Sequence, residues 1–138
     1  LLSAALLVCA LPPPSVPPVD LRLSAVALWI TNILVFALWY WRLDAGGPHA
    51  RDAANGHEDG AFLFPQMALA AAGSTNPNHI AWVPRFTDYL FLAFNTSTAL
   101  SPADTQALSR WATLLMMAHA LISLTIIVLL AARSVNIL

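Results

Sequence analysis

The chain has 138 residues, a length for one domain, and it is 59% hydrophobic with only 9% charged residues. A soluble domain carries roughly 25% charged residues, so a surface facing water on all sides is excluded and the lipid bilayer is the implied partner. The net charge of −1, with six scattered arginines and no lysine, excludes the clustered basic surface that nucleic acid requires.

The first stretch, Leu1–Leu11, is apolar but lacks an initiator Met and a basic leader. At about 1.5 Å per residue it is too short to cross a hydrocarbon core of about 30 Å. It reads as the tail of a membrane helix begun upstream, or as a processed remnant. Cys9, the single cysteine, lies within it and reads as a small hydrophobe, since one cysteine makes neither an intrachain disulfide nor a cysteine-based zinc site. A Pro-rich linker over residues 12–20 follows, because proline lacks the amide hydrogen and clashes with the preceding helical turn.

Residues 23–41 form an uncharged run of nineteen residues between Arg22 and Arg42. This length predicts a transmembrane helix, with Trp39, Tyr40 and Trp41 as interfacial aromatic anchors. Residues 42–85 read as a long polar loop. Gly46-Gly47-Pro48 ends the helix, and the segment after it reads as flexible. His49, Asp52, His57, Glu58 and Asp59 follow no recognised metal-ligand spacing, so a solvated loop is preferred over a metal site. Phe62-Leu63-Phe64-Pro65 is an apolar knot in this loop that either dips to the membrane interface or packs on the helices. Asn76-Pro77-Asn78 is a further turn.

A short helix is predicted over residues 87–98, with Thr87 as N-cap and Asp88 as a first-turn acid. It is too short to span, which suits a re-entrant element. A final transmembrane helix is predicted over residues 102–132, its apolar part bracketed by Arg110 and Arg133. Ser101-Pro102-Ala103-Asp104 supplies a cap, a proline at the first helical position and an acid three residues after the cap. The fold class is therefore an all-α membrane protein: a truncated apolar segment, then two transmembrane helices flanking a long loop and a short re-entrant helix. Both outer ends lie on one side. An arginine flanks each end of each span and the intervening segment is long, so charge assigns no orientation.

Within the spans, Thr31, Asn32, His119 and Ser123 are polar. Asn32 and His119 lie at similar depths, some 12–14 Å from the loop-side ends, which brings an Asn32–His119 hydrogen bond within reach. An ionisable group at this depth is a candidate proton or ion relay. For a single histidine without an embedded Asp or Glu, a packing role between helices is preferred.

Span, loop, short helix, turn and span together resemble the two-helix pore module of potassium channels. Phe91 and Phe94 match its pore-helix aromatics, Thr96 and Thr98 the threonines before the filter, Asp104 the acid after it, Ser109 the following threonine and Arg133 the basic residue of the inner helix. The resemblance implies a pore lined by Thr96, Ser97, Thr98, Ser101 and Asp104, and an oligomer, since one hairpin encloses no path. The chain departs from the module at the filter. Ala99-Leu100-Ser101-Pro102-Ala103 contains no glycine, and proline fixes φ, so standard potassium selectivity is not expected. The Gly46-Gly47-Pro48 turn, Phe62–Met67, Phe86–Leu90 and the final Val-Asn-Ile-Leu also resemble a group of uncharacterised bacterial integral membrane proteins. The exclusive use of arginine with much Ala and Pro fits a GC-rich bacterial genome.

No Ser/His/Asp set, HExxH motif, phosphate-cradling glycine loop or paired intramembrane carboxylates occurs. The expectation is therefore a multi-pass cell-membrane protein that is no enzyme and takes no cofactor or metal. It is either a homo-oligomeric channel-like subunit whose ion the sequence does not specify, or a non-conducting structural or interaction protein.

Overall fold

A computed structural model describes residues 18–53, 60–73, 75–76, 82–98 and 104–135, with side chains placed between residues 23 and 131. The expectations for Leu1–Leu11 with Cys9, for Pro12–Pro17, for His57, Glu58 and Asp59, and for the filter-like residues 99–103 lie outside the described residues.

Helix α1, Pro18–Leu43, is 26 residues long. It begins inside the expected linker because proline suits the first helical position, where its missing N–H costs nothing. A single 3-10 turn, Asp44–Gly46, ends it. Ala45, Gly46 and Gly47 have φ of 47°, 75° and 92°, the left-handed region that glycine enters at least cost. A Cβ on Gly47 would lie 2.9 Å from the Arg42 carbonyl oxygen, so the reversal is too tight for a side chain there. The chain does not then become a loop: Pro48–Ala53 forms α2, with proline again opening the helix.

Phe62–Leu63 (β1) pairs antiparallel with Gln106–Ala107 (β2), Phe62 opposite Ala107 and Leu63 opposite Gln106. Leu108 N–H also donates to Ala61 O at 2.8 Å. This two-residue ladder is a small extended addition to a chain that is otherwise mostly helical, as expected. It also settles the apolar knot: Phe62 and Phe64 are buried against the helices. Helix α3, Pro65–Ala71, follows.

Helix α4, Phe86–Thr98, is capped differently from expectation. The cap residue is Arg85, not Thr87: Arg85 N–H donates to Asp88 Oδ2 at 2.7 Å while Asp88 N–H donates to Arg85 O at 2.9 Å. An acid at the third position reaching back is half of a capping box. Helix α5, Arg110–Val135, starts eight residues later than Pro102. Ser109 is its cap, accepting Ala112 N–H at Oγ (3.3 Å) and Thr113 N–H at its carbonyl (3.1 Å). The pairing of Gln106 and Ala107 with β1 holds them extended and displaces the helix start to the next competent cap.

Helices α1, α4 and α5 pack on one another. Ala37, Ala93 and Ala112, one from each helix, are fully buried; small residues at contacts let helix backbones approach closely. Helix α4 runs antiparallel to α1, with Phe86 edge-on to Trp41 at 5.6 Å and Phe94 edge-on to Trp29 at 6.0 Å. Helix α5 is also antiparallel to α1, since Tyr40 meets His119 and Asn32 meets Ser123. The core lies at the loop-side halves of these helices and includes Phe36, Tyr40, Phe62, Phe64, Tyr89 and Leu92. Helices α1 and α5 are both long and apolar enough to cross a membrane, yet only 22% and 11% of their most apolar stretches are buried. A helix in the core of a soluble protein would be mostly covered.

Candidate functional site

The hydroxyls that the pore-like reading singled out are turned onto their own helix. Thr96 Oγ1 donates to Leu92 O at 2.8 Å, Ser97 Oγ to Phe94 O at 2.8 Å, and Thr98 Oγ1 to Phe94 O and Asn95 O at 3.2 and 3.1 Å. Such back-bonding satisfies Ser and Thr donors without a partner element. Ser97 is buried, and Thr96 also approaches the Tyr40 hydroxyl. The α4 face left uncovered carries Phe91 and Phe94, 64% and 45% exposed. Asp104 is exposed near β2, and Ser101 lies outside the described residues.

Asn32, His119 and Ser123, polar residues of the two long helices, do find partners across them, but Asn32 does not meet His119. Asn32 Nδ2 donates to Ser123 Oγ at 2.8 Å, and His119 Nδ1 pairs with the Tyr40 hydroxyl at 3.1 Å. Helical side chains lean toward their own N-terminus. In α1 that direction is away from the loop, in α5 toward it. Tyr40 therefore leans inward and His119 outward until they meet, while Asn32 leans past His119 to reach Ser123 one turn further on. Tyr40 is thus no interfacial anchor: it is fully buried, whereas Trp39 remains 49% exposed. The His119 ring stacks on Phe36 with centroids 4.1 Å apart and planes 5° from parallel. Its Nε2 has no partner among the described residues. Thr31, exposed, bonds Ala27 O of its own helix at 2.7 Å and joins neither pair.

A second polar cluster, at the loop-side end, has Asp44 at its centre. This residue is fully buried. Its Oδ1 accepts Ala61 N–H and its Oδ2 accepts the Tyr89 hydroxyl at 2.6 Å. Arg51, on α2, sends Nη1 back to the carbonyls of Trp41 (2.9 Å) and Asp44 (2.8 Å), and its guanidinium lies 5.3 Å from the Tyr89 ring centre. A cation on the last carbonyls of a helix satisfies its orphan acceptors and complements its dipole. Burial, and then the adjoining Asp44 carboxylate, push the Tyr89 phenol well above its ordinary range.

The cluster was missed in the sequence because its members are separated by up to 45 residues. The one legible signal is an acid two residues before Gly46-Gly47-Pro48, at the start of the reversal that turns it inward.

Chemically, the two clusters tie elements together. Among the described residues no group of three or more His, Cys, Asp and Glu could hold a metal ion. An open, apolar groove of about 470 Å³ lies between α1 and α4, lined by Trp29, Ile33, Leu34, Leu90, Phe91 and Phe94 among others. No family model, curated protein or solved structure matches the chain.

Proposed function

We propose that the chain is an integral membrane protein in which α4 is a re-entrant helix that fills space between two spans, and that it serves as a non-conducting structural or interaction unit. The carrying observation is the use of the α4 hydroxyls: Thr96, Ser97 and Thr98 all bond their own backbone, and the uncovered face is aromatic. A pore wall in water would need the opposite arrangement. The re-entrant path is supported by depth. Between its contacts with Trp41 and Trp29, from Phe86 to Phe94, α4 runs about 12 Å alongside α1 before the chain rejoins β1 on the loop side.

The same in-and-out path is what a pore-loop subunit needs, so a channel-like homo-oligomer is the second reading. Ion flux into proteoliposomes separates the two. Absence of flux above empty vesicles is the expected result. Cation-selective flux, lost when residues 96–104 are altered, would establish the second reading instead.

A further inference from the structure

The seam between α1 and α4 has two zones of different chemistry. Its deeper part is the largely apolar groove between Trp29–Leu34 of α1 and Thr87–Phe94 of α4. At its loop-side end stand two arginines, Arg42 in the last turn of α1 and Arg85 just before α4. On α1, Ile30, Leu34 and Leu38 form an exposed row at four-residue spacing, and Arg42 is its next member. On α4, Arg85 precedes Phe86, whose ring packs on Trp41 beside Arg42. Both arginines are exposed, and neither guanidinium has a partner among the described residues. The adjacent Asp88 carboxylate is engaged by the Arg85 backbone N–H.

We propose that this seam binds one anionic glycerophospholipid of the loop-side leaflet, its acyl chain in the groove and its phosphate between Arg42 and Arg85. The inference rests on the membrane reading above. The groove lies eight to thirteen residues from Arg42, or about 12–20 Å, and one leaflet of a core of about 30 Å is about 15 Å deep. Charge complementarity selects the occupant. A second copy packed here about a two-fold axis along the membrane normal would set the arginines against their own counterparts, like charge on like. A lipid phosphate neutralises them instead.

Trp29, in the groove wall, supplies the readout. The protein is placed in nanodiscs in which lipids with brominated acyl chains and either an anionic phosphatidylglycerol or a zwitterionic phosphatidylcholine headgroup are titrated over the same range of mole fractions. The Trp29 signal is the difference between wild type and Trp29→Phe. Quenching of Trp29 is expected at lower mole fraction of the anionic lipid, by about fivefold for each arginine. The preference should vanish in Arg42→Gln/Arg85→Gln, both substitutions being at exposed positions. Equal quenching by the two headgroups overturns the proposal and leaves ordinary boundary lipid. Quenching of exposed Trp39 without Trp29 also overturns it, since protein then covers the groove. If Trp39 is not quenched either, the membrane reading itself fails.

Discussion

The fully buried Asp44 carboxylate accepts the Ala61 N–H and the Tyr89 hydroxyl, and that makes single substitutions around it informative. Tyr89→Phe removes one donor and leaves part of a buried carboxylate unsatisfied, a loss of about 2 kcal/mol. Asp44→Asn should cost at least as much, because one amide oxygen must replace two acceptors and the amide NH2 faces a donor. Melting temperatures in detergent test both; values equal to wild type would remove Asp44 from any structural role. The Tyr89 phenol also gives a pH signature. Its folded-state value is raised above the unfolded value of about 10. The stability it contributes is therefore complete below that value and is lost as pH climbs through the folded one. Alkaline unfolding is expected to begin above about pH 10 in wild type and to be blunted in Tyr89→Phe. His119 separates packing from polarity. His119→Ala removes a ring stacked on Phe36 and should cost roughly 2–4 kcal/mol. His119→Phe keeps a ring there and loses only the Tyr40 bond, about 0.6–1.7 kcal/mol in a membrane. The reverse order in thermal denaturation would mean that the hydrogen bond, not the stack, holds the helices.

Among the elements, the α1 reversal and α4 respond in opposite ways to small changes. Gly47→Ala adds a Cβ against the Arg42 carbonyl at a positive φ, and should destabilise by about 1–2 kcal/mol or more. Thr98→Val removes a hydroxyl that bonds only the preceding turn, and should change stability by less than about 0.5 kcal/mol. Together with unaltered proteoliposome behaviour, that result would fit α4 as a packed wedge. A change in flux on Thr98→Val would place its hydroxyl in a conduction path. The elements differed in how far they could be read beforehand. Both long helices and the short one were legible because unbroken apolar length and cap residues are local properties. The start of α4 falls within one residue of the expected one, with Asp88 reaching back to the Arg85 N–H, whereas α5 starts later than expected because Ser109 offers a cap just beyond the extended Gln106 and Ala107. The β1–β2 pair was not legible, since two residues on each side carry no alternation to detect.

At the scale of the molecule, the proposal is a topology. With Cys9 replaced by Ala, single cysteines at Asp52, Thr75 and Asp104 should all be labelled by an impermeant reagent from one face of sealed vesicles. Labelling of Asp104→Cys from the face opposite Asp52→Cys would turn α4 into part of a crossing segment and end the re-entrant reading. The architecture also accounts for the distribution of burial. Covered surface gathers where α1, α4 and α5 meet, while Leu23, Val26, Leu124 and Val128 on the outer halves stay uncovered. Apolar side chains so disposed are at rest in hydrocarbon and not in water.

Local composition already tells that two helices are long and greasy, that a shorter one lies between them, and that polar residues interrupt the long ones. Those facts follow from composition along contiguous residues. Tertiary structure alone decided the partners: His119 with Tyr40, Asn32 with Ser123, Asp44 with Tyr89 and Ala61, and β1 with β2. The reason is geometric. Which polar atoms meet depends on helix direction, the lean of each side chain toward its own N-terminus and the tightness of one glycine reversal, and none of these is a property of residues adjacent in the chain.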